Sequence, residues 1–171
     1  MIEVVFPHRE HELVKTVDDP GLLGYLVIDS TIGGRSCGGL RISSTVSLQE
    51  VKDLATAMTL KQAFLGIPRG GAKAAIVASD SLSAVEKECL VKEFGEQIAD
   101  LLRDRRYLSG PDMGTTSDLI DTMGRHIGLK TASRSTGTLH SAYFTSLSVL
   151  VAIETSLAIK GLSFVGATFA I

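Results

Sequence analysis

Between residues 66 and 75 the chain reads Gly-Ile-Pro-Arg-Gly-Gly-Ala-Lys-Ala-Ala, a glycine-rich turn ending in a lysine where an apolar run begins. Three readings compete for it. A nucleotide phosphate loop needs lysine directly after its second glycine and then Ser or Thr, so that ammonium and hydroxyl reach phosphate and Mg²⁺. Here Ala72 intervenes before Lys73, and Ala74 takes the place of the hydroxyl. A small-ligand site would use Gly70 and Gly71 for close backbone approach, with Lys73 projecting into the same site. A plain turn would leave Lys73 solvated, and the entry of Lys73 into an apolar strand speaks against that.

The remaining chemistry-bearing residues are sparse. Cys37 and Cys89 are too few for a disulfide framework or a zinc quartet, and a reducing cytosol suits them best. Cys37 has no histidine near it in sequence to activate it as a nucleophile or to join it on a metal. His8 and His11 have a spacing that chelates metal on a helix, but HREH is not the HExxH signature and no third ligand is evident, so solvated side chains are expected. His126 is placed to meet the last carbonyls of a short helix.

Strand-like and helix-like pieces alternate along the chain, which predicts an α/β architecture. Strands are expected at Glu3 to Phe6, Gly24 to Asp29, Leu40 to Ser43, Ala74 to Ala78, Tyr107 to Ser109 and Leu162 to Ile171. Helix starts are marked by Ser47 with Glu50, Ser83 with Glu86 and Thr115 with Asp118, all in capping-box spacing. In the first helix Leu48, Val51, Leu54, Ala55, Met58 and Leu65 fall on one side, with Lys61 at the margin of that stripe. The second carries Leu90, Phe94, Ile98 and Leu101, and Cys89 is expected to pack beside them as a small hydrophobe. Asp112 follows Gly110 and Pro111 at a strand end, where loops present functional groups. A small, polar stretch over 128–138 marks a domain boundary.

Composition sets the class. Of 171 residues 44% are apolar and 21% charged, with a formal net charge of −2, which fits one soluble domain and excludes general disorder. Near neutrality excludes a strong nucleic-acid footprint, since the one basic block, Arg103, Arg105 and Arg106, is interrupted by Asp104. The opening MIEVVFPHRE is too short an apolar run for a signal peptide. Residues Ala142 to Ile159 approach the length of a membrane span, but Thr145, Ser146, Ser148, Glu154, Thr155 and Ser156 favour a packed, mostly buried helix. A cytoplasmic protein without nucleic-acid or membrane partners is expected.

Four motifs stand in order: GGLR at 38–41, MTLKQA at 58–63, IPRGGAKAAI at 67–76 and GPDMGT at 110–115. Together they resemble the glutamate/leucine/phenylalanine/valine dehydrogenases, specifically their N-terminal substrate domain, from about Gly24 onward. The resemblance implies a mixed sheet flanked by helices over 1–130, serving substrate binding and oligomerisation. Over 131–171 it implies a linking helix and the first strand of a truncated dinucleotide-binding domain, because neither the G-x-G-x-x-G turn nor its acidic partner follows Leu162 to Ile171. The implied activity is reversible oxidative deamination of an L-amino acid to a 2-oxo acid and ammonia, with hydride passing to NAD or NADP in the intact enzyme. By itself the chain is expected to bind neither cofactor, to be inactive and to self-associate as a homo-oligomer.

The resemblance also implies roles. Lys61 would hold the substrate α-carboxylate, with Gly38, Gly39 and Met58 lining that end. Lys73 would be the catalytic lysine, polarising the reacting carbonyl or water; lysine suits this because desolvation and cationic neighbours tune it. Asp112 would be the proton-transfer carboxylate. Glutamate-specific members carry a lysine immediately before GG-x-R, where this chain has Cys37, and KAAI rather than KGGI follows the same trend, so a neutral aliphatic or aromatic substrate is expected. His140 and Thr136 lie where the chain departs from the family's inter-domain segment. A second class stays open, a stand-alone amino-acid-binding or assembly module without redox activity.

Overall fold

A strand covered on both faces reads as an unbroken apolar or small-residue run, and LLGYLVI and GGAKAAIV are such runs. They form β2 (Leu22–Ile28) and β4 (Gly70–Val77), inner strands of a five-stranded sheet that also contains β1 (Leu13–Asp19), β3 (Ser36–Ser43) and β5 (Tyr107–Pro111). The computed structural model describes residues 10–130 and 141–168. The strand order is β1-β2-β4-β3-β5; β1 with β2 and β2 with β4 are antiparallel, while β3 pairs parallel with both β4 and β5. The sheet is therefore mixed. Its parallel half uses helical crossovers, with α1 (Leu48–Phe64) between β3 and β4, and α2 (Ala84–Gln97) and α3 (Ala99–Arg103) between β4 and β5.

Strand alternation divides the core between two faces. Leu26 and Ile28 of β2, Leu40 and Ile42 of β3, and Ala72, Ala74 and Ile76 of β4 pack with Val91, Phe94, Ile98 and Leu102 and with Met123 of α4 (Ser117–His126). On the opposite face Val27 and Ala75 meet Val51 and Ala55 of α1. The first face carries most of the bulky apolar side chains. The second carries the polar residues taken up below.

Four expected strands are present, most of them starting earlier than anticipated. β1 was not expected, because LVKTVDD interleaves charge with apolar residues; as an edge strand it buries only Val17 fully. The strand expected at Leu162 to Ile171 is not formed over its described part. There Leu162 N–H donates to Leu157 O, Val165 N–H to Ser163 Oγ and Ala167 N–H to Phe164 O, so turn bonds take the place of a ladder. Glu3 to Phe6, His8, Thr136 and His140 lie outside the described residues.

Two of the three helix starts are as read. Ser83 and Glu86 make both halves of a capping box, and Ser47 Oγ accepts from Glu50 N–H. The third starts one residue later, at Thr116, whose hydroxyl accepts from Leu119 N–H, because Thr115 is engaged elsewhere. Cys89 is exposed rather than buried: α2 turns Val91, Phe94 and Gly95 inward, and a residue two positions before Val91 lies about 200° around the helix. Lys61 and Leu65 are likewise exposed, since α1 ends at Phe64 and its buried face is narrow, comprising Val51, Ala55 and Gln62.

Residues Met1–Thr131 and Ala132–Ile171 form separate compact units. In the second, α5 (Ser141–Ile159) was expected to be mostly buried, yet Leu147, Val149, Leu150 and Val151 are exposed. Ser148, Thr155 and Ser156 donate to the carbonyls four residues earlier, so their hydroxyls are satisfied within the helix itself. Among the described residues no helix is long and apolar enough to cross a membrane.

Phe94 is fully buried, and a Cβ on Gly24 would lie 2.8 Å from its ring, so β2 and α2 meet at this pair. Phe94→Ala should lower unfolding free energy by about 3–5 kcal/mol, measured by urea denaturation; a change below about 1 kcal/mol would remove the packing role.

Candidate active site

Lys73 lies in the middle of β4 with only 7% of its side chain exposed. It is paired with Val27 of β2 on one side. On the other side Cys37 lies opposite Gly71 and Leu40 opposite Ala74, so Gly39 falls beside Lys73. Gly39 in turn pairs with Gly110 of β5. A Cβ at Gly39 would stand 2.8 Å from Asp112 Cβ and 3.0 Å from Pro111 O. With that space empty, Asp112 folds back across β3, and its Oδ2 accepts a hydrogen bond from Lys73 Nζ.

Arg41 donates from Nε to the same Asp112 oxygen at 3.1 Å and from Nη1 to Glu50 Oε1 at 2.5 Å. Cys37, Gly39 and Arg41 alternate along one face of β3, half-buried, while the intervening residues are buried. The loop after β5 is tied to that strand by Thr115: its hydroxyl donates to Leu40 O (2.7 Å) and accepts from Asp112 N–H (2.9 Å). Ile42 N–H bonds Met113 O at 3.0 Å. The spacing of Pro-Asp-Met-Gly-Thr thus sets both the carboxylate and the hydroxyl that fixes it.

Burial pushes the Asp112 carboxyl up, but the Lys73 hydrogen bond and charge, the Met113 N–H and the Arg41 charge together hold it below its ordinary value. Tyr107 is fully buried beneath β3. Burial pushes its phenol up, and the hydroxyl donates to Gly38 O at 3.1 Å.

The glycine pair serves the chain itself. Gly70 N–H donates to Arg35 O (2.9 Å), and Gly71 N–H meets Ser30 Oγ and Thr59 Oγ1 (both 3.2 Å), so these amides are engaged and form no phosphate cradle. A Cβ on Gly71 would lie 2.0 Å from Thr59 N, which shows how closely α1 rests on β4. The contact is fixed by Asp29, only 2% exposed, whose carboxylate accepts from Thr56 Oγ1 (2.9 Å) and Thr59 Oγ1 (2.5 Å) and meets His11 Nδ1 (3.0 Å). His11 is therefore partnered and mostly buried, not solvated as expected. His126 reaches Glu96 of α2 at 2.6 Å rather than helix carbonyls. Among the described residues no group of three or more His, Cys, Asp or Glu could hold a metal ion.

Of the residues singled out from sequence, Lys73, Asp112 and Gly39 are brought together, and Cys37 shares their face. Gly38 sits above the Tyr107 hydroxyl. Met58 is half-buried on α1, and Lys61 is exposed on that helix with no side-chain hydrogen bond or ion pair among the described residues. Glu50 was expected only as a helix cap and Arg41 had no role, although the two-residue spacing from Gly39 to Arg41 is the signal that puts these two on one strand face. Asp29 and Thr59 carried no such signal, since nothing local tells a strand-end aspartate from a turn residue.

In this mixed sheet the middle strand thus buries a lysine against an aspartate that follows β5, two strands away. The profile of the Glu/Leu/Phe/Val dehydrogenase dimerisation domain matches residues 8–128, and the chain belongs to that family. It is 33% identical over 116 residues to NAD-specific glutamate dehydrogenase A of Halobacterium salinarum, covering 64% of this chain and 27% of the relative. Glutamate dehydrogenase B of the same species is 34% identical over 116 residues, covering 67% and 26%. The chain thus spans about a quarter of the length of these curated relatives. Among solved structures, hetero-hexameric glutamate dehydrogenase from Thermus thermophilus in its Leu-bound form is similar at 27% identity and TM-score 0.69, covering 85% of this chain and 38% of that one. L-tryptophan dehydrogenase from Nostoc punctiforme is similar at 25% identity and TM-score 0.60, covering 86% and 41%.

Because Asp112 is held below its ordinary value of 3.8, its ionised form stabilises the fold above that value, and this contribution is lost as pH falls through the lowered one. Asp112→Asn, which leaves Lys73 buried without a counter-charge, should cost about 1–3 kcal/mol at pH 7. The gap to the unsubstituted protein should close below pH 3.8, as followed by urea denaturation across pH; a pH-independent gap would contradict the assignment.

Proposed function

We propose that this chain supplies the substrate-binding and proton-handling half of an NAD(P)-dependent L-amino-acid dehydrogenase acting on a neutral aliphatic or aromatic substrate. The observation that carries the reading is the pair of buried Lys73 and half-buried Asp112 beside Gly39. Lys73 polarises the reacting carbonyl or the attacking water, and Asp112 takes and returns the proton. Both cations of the cluster, Lys73 and Arg41, already share Asp112, so the substrate carboxylate needs another cation. Lys61, with Gly38, Gly39 and Met58 lining that end, fits the role. The Gly70 and Gly71 amides are engaged within the fold and are not free to hold a phosphate. The nicotinamide that accepts hydride belongs, on this reading, to a further domain of the intact enzyme, which residues 131–171 lead into. Self-association through this dimerisation domain is part of the same proposal.

Both curated relatives are glutamate dehydrogenases, yet Cys37 stands at the place of the lysine that the family's glutamate-specific members are expected to carry. The similar solved structures include both glutamate dehydrogenases and a tryptophan dehydrogenase, so the neutral reading rests on Cys37. A side-chain carboxylate brought beside Cys37 would lack a partner, at a cost of several kcal/mol.

Assayed on the complete gene product, Lys73→Ala should lower kcat by about a thousandfold or more, while Lys61→Ala should chiefly raise KM. Near-normal turnover in Lys73→Ala would overturn the assignment. Across a panel of L-amino acids, a neutral substrate should exceed glutamate in kcat/KM by about a thousandfold. Glutamate as the best substrate would reverse the specificity reading, and amino-acid binding without turnover would point to a binding module.

A further inference from the structure

We infer that Arg41 is a positioning residue for Asp112, held to that task by Glu50 at the start of α1. Two helices of this fold begin with Ser and Glu in the same spacing and use the glutamate differently. In α2, Glu86 turns back and accepts from Ser83 N–H at 2.8 Å, closing the capping box. In α1, Ser47 Oγ still accepts from Glu50 N–H, but the Glu50 carboxylate reaches away to Arg41 Nη1. The first helix gives up half of its cap and gains a tether on a strand residue. That residue, 16% exposed in its side chain, places Nε on the oxygen that Lys73 also holds.

The arrangement matters because Lys73 has two tasks. On the reading proposed above, its ammonium must leave Asp112 in part to meet the reacting carbonyl, and an aspartate held by Lys73 alone would then turn or protonate. Arg41 is anchored at its far end by a different element, so it stays on Oδ2 and keeps the carboxylate ionised and aimed. The guanidinium suits this because one planar fork bridges two carboxylates, which a lysine cannot do. The groups that act on the Asp112 carboxylate are Lys73 from β4, the Met113 N–H and Arg41 from β3, while its charge also reaches the Tyr107 phenol of β5, itself near Cys37, and Glu50 of α1 acts through Arg41.

The inference rests on the proton-transfer role of Asp112, and the experiment separates the two. Carboxyl-detected NMR on the 171-residue chain should show the Asp112 titration midpoint rising by about one pH unit in Arg41→Gln. In the unsubstituted chain the Arg41 Nε–H signal should move with the Asp112 midpoint, and in Glu50→Gln, altered at a half-exposed position, it should exchange with water roughly tenfold faster. In the complete gene product Arg41→Lys should lower kcat about tenfold with little change in KM. An unmoved midpoint in Arg41→Gln, or an Nε–H signal indifferent to Asp112 ionisation, would overturn the inference, and the second measurement decides the matter if Arg41→Gln fails to fold. Coupling seen by NMR in a gene product without dehydrogenase turnover would keep the Arg41 tether and remove the functional reading instead.

Discussion

A lysine ammonium cannot be left in an apolar sheet face without an opposite charge, and the site is organised around meeting that demand at Lys73. The nearest backbone on its β3 side belongs to Gly39, so the counter-charge has to come from farther away, across the space a side chain would have filled. Asp112 supplies it from the end of β5. Its reach is possible only because the loop that carries it is pinned to β3 through Thr115 and Met113. Once the pair is in place it depends on α1 as well, since Arg41 shares the aspartate and Glu50 shares the arginine. One desolvated ammonium thereby couples three strands and a helix.

The strand that carries this lysine is made mostly of small residues. Gly70, Gly71, Ala72, Ala74 and Ala75 are all buried, which is unusual for an inner strand, where bulky aliphatics contribute most of the burial. Their smallness is a condition for close approach. Gly71 lets the α1 backbone come so near that hydroxyls of Thr56 and Thr59 reach Asp29. The apolar burial that β4 forgoes on its α1 face is concentrated on the other face, around Phe94, Tyr107 and Leu40. One face of the sheet carries most of the apolar core and the other the polar cluster, and α1 is held to the second partly by hydrogen bonds.

Much of this was legible in the residues and some was not, for identifiable reasons. Apolar runs announced β2 and β4, and Ser-x-x-Glu spacings announced α1 and α2, because both signals are local. β1 was hidden because an edge strand needs only one buried face and tolerates charges on the other. Leu162 to Ile171 was read as a strand from its apolar run and the family resemblance, but a strand also requires a neighbour, which no single segment can specify. The site divides in the same way. Motif spacing picked out Lys73, Asp112 and Gly39, while the Arg41–Glu50 link depends on which way a capping glutamate turns, and that choice is made by the strand packed beside it.

On the proposed function, the cluster also bears on what a substrate must bring. Glu50, Arg41, Asp112 and Lys73 form an alternating row of two negative and two positive groups, with a formal sum of zero. A neutral row exerts little pull at a distance, so recognition has to come from contacts made inside the site. A zwitterionic substrate with an uncharged side chain leaves the balance undisturbed, provided that its carboxylate finds a cation outside the row. A second carboxylate on the side chain would have to break into the row or lie against Cys37, and in either place an anion would stand without a full partner. Selectivity against acidic side chains would then come from the absence of a spare cation on β3, and the size of the accepted side chain would be set by packing around Cys37.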